Sequence, residues 1–245
     1  MIIKNLTYKY SDENSFQLKI DRATFDWAGH LGVYGLSGSG KTTLGKILTG
    51  VIKPHNNSLE LSDQEKYVIY SAQMSENIFL GTTIEHTLKM IAQNNEKLKN
   101  ISGKTDEYLG MFKMNYADIY EKQGHELSSG ELRKFALSLA FSCEPDILVL
   151  DEPTIDLDLS SRIQLEKLVA NYSKKMVLIS HDYELLKKNC SWLWVMDRGN
   201  LIFQGNFENM ESNEKLSHRI GLDIYKKMID KRKSIYYEFI HNREG

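Results

Sequence analysis

The sequence predicts an α/β fold built on a mostly parallel sheet. Three observations carry this. Short runs at Leu31–Tyr34, residues 147–150 and residues 176–179 read as strands, the last two as buried ones. Strands and stretches with helical spacing alternate along the chain, and such alternation implies right-handed crossovers on a parallel sheet. The first of these strands runs straight into a glycine-rich turn and then a helix.

Taken in order, the first thirty residues alternate apolar and polar positions. Leu6, Tyr8 and Tyr10 show period two, as do Phe16, Leu18 and Ile20, which predicts antiparallel strands. Residues 43–49 read as a helix stopped by Gly50 and Pro54. Residues 67–72 read as a strand. Residues 83–93 read as a helix with Ile84, Leu88 and Ile91 on one face. The polar stretch 94–104 is expected to be a surface loop, followed by helix over 106–114. Residues 74–127 together predict a mainly helical insert. Residues 130–142 form a helix with Leu132, Phe135, Ala136, Leu139 and Ala140 inward, ended by Pro145. A helix over 160–173 follows the strand at 147–150. Residues 192–197 and 201–203 form a hairpin around Gly199. In the tail, Leu216, Ile220, Ile224 and Met228 are spaced by four and predict helix over 215–241. The expected division is a main domain over 1–210 and a helical C-terminal extension over 211–245.

The 245 residues fit one large domain with an inserted lobe. Hydrophobic residues make up 41%, enough for a sizeable core. The net charge of -2 gives no broad basic field, so no nucleic-acid partner is expected. Cys143 and Cys190 lack CxxC spacing and are read as reduced thiols. The segment MIIKNLTYKY lacks the apolar core of a signal peptide, and no apolar run approaches the roughly 20 residues of a membrane helix. Any membrane role is therefore expected to come through a partner.

The chemistry starts at Gly35-Leu36-Ser37-Gly38-Ser39-Gly40-Lys41-Thr42, which fills every fixed position of a phosphate loop. Glycines let successive N–H groups point inward at phosphate oxygens. The following helix, entered through Thr43, adds its positive N-terminal end. Lys41 can reach β- and γ-phosphates, and the Thr42 hydroxyl can ligate Mg²⁺. The second half is Ile147-Leu148-Val149-Leu150-Asp151-Glu152-Pro153, a buried strand ending in two carboxylates at the ligand-binding edge of the sheet. Asp151 suits Mg²⁺ held through water, and Glu152 suits polarisation of an attacking water. The pattern points to ATP with Mg²⁺.

Leu127-Ser128-Ser129-Gly130-Glu131 resembles the Leu-Ser-Gly-Gly-Gln signature of the ABC transporter ATPases and lies just upstream of the Asp151-Glu152 strand. Gln73 matches that family's Q-loop glutamine, Ile155-Asp156-Leu157-Asp158 its D-loop, His181 its switch histidine, and Tyr10 the aromatic that stacks on adenine. The resemblance covers residues 1 to about 210. It implies a P-loop NTPase core of ABC type with an N-terminal antiparallel β subdomain, an inserted helical subdomain and a helical tail. It also implies that Lys41, Thr42, Gln73, Asp151, Glu152 and His181 act on ATP bound to the same chain, with Gln73 also a Mg²⁺ ligand. Ser128 and Gly130 would face the γ-phosphate of ATP held by a second ABC ATPase subunit, as a homo- or heterodimer, and Ser129, Glu131 and Asp158 are also expected to bind nucleotide.

Four positions depart from the family pattern. Ser129 replaces a glycine, Glu131 replaces glutamine, Asp156 stands where a small residue is usual, and Leu159 where proline is usual. A weakened signature in a dimer with unequal sites is the expectation. Residues 73–85 resemble the same segment of energy-coupling-factor and cobalt-type importer ATPases. An integral membrane transport subunit is then the second partner, with the chain peripheral at the cytoplasmic face. Phe79, Ile84 and residues 111–114 are candidate lining for its docking groove. The alternative is a soluble ABC ATPase acting on DNA, the ribosome or cluster assembly. The basic run Lys226, Lys227, Lys231, Arg232 and Lys233 reads as a solvated helix face.

Overall fold

The computed structural model describes residues 1–10, 16–56, 58–61, 67–73 and 80–223. Its centre is set by the apolar runs. β3 (Leu31–Tyr34) and β6 (Ile147–Asp151) are buried at every position. They lie in one sheet with β5 (Val68–Ser71), β7 (Lys175–Ser180) and β8 (Trp192–Asp197), in the order β8-β3-β7-β6-β5, all parallel. The alternating side chains serve two cores. Leu148 and Leu150 of β6 enter one cluster, whereas Ile147 and Val149 enter the other.

β1 (Ile2–Lys9) and β2 (Gln17–Thr24) pair antiparallel, as their period-two pattern predicts, with β4 (Leu59–Glu60) on the outer edge. The hairpin partner of β8 is β9 (Asn200–Gly205). The antiparallel unit is not a separate layer. β2 meets β9 through Lys19 and Asn200, so the nine described strands form one continuous sheet.

On the core that takes Ile147 and Val149, α1 (Lys41–Leu48) packs Leu44, Ile47 and Leu48 with Val33, Val149, Val177 and Ile179. α5 (Leu159–Asn171) and α6 (Tyr183–Asn189) cover the other face through Leu165, Val169, Leu185 and Leu186. α2 (Ile84–Asn94) and α3 (Ile101–Met111) form a lobe of their own with Ile84, Leu88, Ile101 and Leu109. α4 (Ser129–Ser142) belongs to both bodies. Its Leu132, Phe135 and Leu139 enter the lobe core, and its Leu137, Ala140 and Phe141 enter the sheet core.

Several expectations need correction. α1 starts at Lys41, two residues before the predicted start, because Gly40 turns the chain directly into the helix. The polar stretch 94–104 is not all loop. A 3-10 turn at Glu96–Leu98, capped by the Asn95 side chain, and the start of α3 place Leu98 and Ile101 in the core. Two apolar residues three apart anchor an otherwise polar segment. α3 ends at Met111, not 114, and Lys113 at φ 57 turns the chain away. Ile84, Phe112 and Met114 are buried in the cores, so they cannot line an open groove, whereas Met111 is exposed. Phe79 lies outside the described residues. The tail forms α7 (Phe207–Ser212) and α8 (Glu214–Arg219), and Gly221 at φ 70 breaks the predicted single helix. Residues 224–245, with the basic run, lie outside the described residues.

Candidate active site

A cleft of about 570 Å³ opens at the carboxyl ends of the parallel strands, lined by Tyr10, Phe16, residues 36–43, Gln73, Glu152, Ile155 and His181. Its floor is the turn between β3 and α1. Gly40 caps α1 at φ 102, and a Cβ there would stand 2.5 Å from Phe16 Cζ, so this corner admits glycine alone. Lys41 is buried. Its Nζ donates to the carbonyls of Gly35 (2.7 Å) and Leu36 (3.2 Å) and stands 3.8 Å from Glu152 Oε1. Burial lowers its pKa, and the Glu152 carboxylate opposes that shift.

Asp151 and Glu152 have different surroundings although they are adjacent. Asp151 is fully buried. Its Oδ2 accepts from Tyr70 Oη at 2.7 Å, and the Thr42 hydroxyl also bonds the carboxyl. Burial raises its pKa, with the Tyr70 and Thr42 hydrogen bonds opposing. Its Oδ1 is buried without a hydrogen-bond partner. Glu152 faces the cleft. Its Oε1 accepts from the His181 backbone N–H (3.0 Å), its Oε2 accepts from Ser180 Oγ (3.1 Å), and His181 Nδ1 lies 2.8 Å from Oε2. Its backbone is at φ 47, a left-handed conformation that non-glycine residues seldom hold.

Tyr10 lines the cleft, edge-on to Tyr8, with its Oη 3.2 Å from Thr43 Oγ1. Gly35 and Asp151 lie behind the lining and contact it through Lys41 and Thr42. The signature segment is placed elsewhere. Ser128 caps α4: its Oγ accepts from the Glu131 N–H at 3.3 Å and donates to Glu131 Oε2 at 2.7 Å, and its N–H donates to the same oxygen at 2.9 Å. A Cβ on Gly130 would stand 3.2 Å from the Asp156 carbonyl, so the signature abuts the segment after Glu152. Asp158 caps α5 by accepting from the Ser161 N–H at 2.8 Å and lies 3.3 Å from Lys134 Nζ. Ser128, Ser129, Gly130, Glu131 and Asp158 thus do not line this chain's cleft.

The ABC transporter family matches residues 20–155. This chain belongs to that family. It is an ATP-binding and ATP-hydrolysing member. The energy-coupling factor transporter ATP-binding protein EcfA2 of Clostridium acetobutylicum is 29% identical over 244 residues, covering 91% of this chain and 85% of the relative. EcfA1 of Mycoplasmoides gallisepticum is 26% identical, covering 90% and 83%. Three solved structures share the fold. An ATP-binding subunit of an ABC transporter has TM-score 0.72 at 19% identity, covering 93% of this chain and 98% of that one. The cbiO1 protein of Clostridium perfringens, part of the ABC transporter complex cbiONQ, has TM-score 0.62 at 21% identity, covering 92% and 95%. A dimeric post-hydrolysis state of the cassette MJ0796 bound to ADP and Pi has TM-score 0.67 at 20% identity, covering 84% and 98%.

Four residues that line or support the cleft carry no site signal in the sequence. Phe16 lines the cleft with Tyr10 and sits against Gly40; its position just ahead of a period-two strand marked it only as a strand residue. Ser180, next to His181, holds Glu152. Tyr70 holds Asp151 from a neighbouring strand, and Arg133 reaches the same region from α4. No sequence spacing links the last two to the site, because the sheet brings them there.

Proposed function

We propose that this chain powers a membrane importer of a micronutrient, a vitamin or a metal ion, as one of a pair of ABC ATPase subunits at the cytoplasmic face. The observation that carries the pairing is the separation of two half-sites. One cleft holds the phosphate loop, Glu152 and His181, while Ser128 and Gly130 sit on a different surface of the same chain. A second subunit, identical or homologous, completes each site. The energy-coupling-factor names of the relatives support the importer class, with an integral membrane subunit as the other partner. Among the described residues no helix is long and apolar enough to cross a membrane, so attachment runs through that partner.

Loop N–H groups and the α1 N-terminus bind the phosphates of ATP, with Lys41 as the fixed cation. Tyr10 and Phe16 flank the base. Glu152, oriented by Ser180 and His181, accepts the proton of the attacking water. Gln73 lines the cleft and would register what docks there. Mg²⁺ fits Thr42 and Asp151. The orphaned Oδ1 of Asp151 is an oxygen acceptor lacking a partner, and Mg²⁺ is usually held by one or two protein oxygens plus substrate phosphates. When bound it neutralises charge on those phosphates.

The test is purification of the tagged chain from detergent-solubilised native membranes, with mass spectrometry of its companions. A stoichiometric integral membrane protein is the expected outcome. Recovery of soluble factors, ribosomes or DNA alone would overturn the transporter reading and leave the ATPase chemistry standing.

A further inference from the structure

Helix α4 carries a buried cation that does not reach the cleft. Arg133 is 1% exposed. Its Nε donates to the Pro153 carbonyl (3.3 Å), its Nη1 to that of Ala72 (2.5 Å), and its Nη2 to those of Asp151 (3.1 Å) and Glu152 (2.8 Å). These carbonyls belong to two neighbouring strand ends. Ala72 follows β5 and directly precedes Gln73, and Asp151 closes β6. A buried guanidinium is tolerated when its donors are met and its charge is balanced. Burial pushes its pKa down to about 10, with the carboxylates of Asp151, Asp156 and Glu152 opposing, so it stays cationic at neutral pH.

The Glu152 contact matters most. A non-glycine residue at φ 47 persists only when its surroundings hold it. The Glu152 N–H donates to the Ile179 carbonyl at 2.9 Å, and the Glu152 carbonyl is held by Arg133.

We propose that Arg133 is a positioning residue that ties the signature end of α4 to the backbone at Gln73 and Glu152, so that the general base is set by where α4 lies. This rests on the reading of Glu152 given above. Arg133 lies five residues beyond Ser128, about 7.5 Å along the helix. α4 is itself shared by the lobe and the sheet core, so a shift of the signature end on docking reaches Glu152 through the guanidinium. Lysine would keep the charge but not the planar fork that spans carbonyls of two strands.

The test is Arg133→Lys in the chain paired with its partner ATPase subunit, reading ATP turnover, affinity for a fluorescent ATP analogue and Tm. Turnover should fall by at least about 10-fold while nucleotide affinity stays within about 3-fold and Tm holds. In a Glu152→Gln background the same change should cause no further loss of turnover. If Arg133→Lys does not fold, Arg133→Met, which removes the buried charge, takes its place with the same readouts. Unchanged turnover in a folded variant overturns the inference. So does a loss of turnover, affinity and Tm together, or failure of both variants to fold, since each makes Arg133 merely structural. Glu152→Gln alone separates the two readings: if it turns over ATP like wild type, the general-base assignment itself is wrong.

Discussion

Lys41 and Glu152 stand 3.8 Å apart, and the proposed function gives them different work: Lys41 would contribute charge to binding, whereas Glu152 would act on the water. Glu152→Gln keeps the side-chain shape and the Ser180 contact. It should lower turnover by about 10²–10⁴-fold, with ATP affinity within about 3-fold, read by steady-state hydrolysis and equilibrium nucleotide binding. Glu131 invites a pH experiment. Hydrogen bonds from the Ser128 N–H and hydroxyl hold its carboxyl below the ordinary range. A carboxylate with a depressed folded pKa contributes stability above its unfolded pKa and loses it as pH falls through the folded one. Wild-type Tm should therefore drop more steeply than that of Glu131→Gln below the ordinary glutamate range. At neutral pH the two should differ by no more than about 1 kcal/mol, since glutamine can also close the capping box. The Ser128 hydroxyl donates to Glu131 Oε2 of its own helix.

At the scale of elements, the loop before α1 and helix α4 are the demanding pieces. Gly40→Ala places a methyl group against Phe16 at a left-handed backbone position. It should cut ATP affinity by more than about 10-fold, as measured by titration of a fluorescent nucleotide, because the loop N–H groups lose their aim. Phe135 of α4 is fully buried in the lobe core. Phe135→Ala should destabilise the chain by about 3–5 kcal/mol in urea unfolding. The apolar spacing of α4 was legible in sequence. Its division between two cores was not, because periodicity says that a face is buried but not against what.

The whole molecule exposes Leu159 at 75%, on the first turn of α5 beside the Asp158 cap, and Leu36 at 54% on the phosphate loop. Large exposed apolar side chains beside a half-site suit contact with a second subunit. In a Glu152→Gln background, ATP should drive association of the chain with its partner ATPase, visible by analytical ultracentrifugation. Leu159→Asp should weaken that association by about 10-fold or more while leaving ATP affinity of the single chain unchanged. Association without ATP, or none in its presence, would count against the paired-site reading.

The sequence by itself determined the central strands, the phosphate loop and the pair Asp151-Glu152, because each depends on local signals. Buried strands need unbroken apolar runs, and a phosphate cradle needs glycines at set intervals. It also marked the signature as a helix start, through Ser128 and Glu131. Only the tertiary structure decided what surrounds them. Tyr70 against Asp151, Phe16 against Gly40, and Arg133 against the carbonyls of Ala72, Asp151, Glu152 and Pro153 join residues far apart in the chain. Hydrogen bonds to backbone carbonyls place no demand on the sequence of the accepting residue, so they leave no motif to read. Nor could periodicity reveal that Leu98 and Ile101 anchor a polar stretch, since two buried residues are too few to make a pattern.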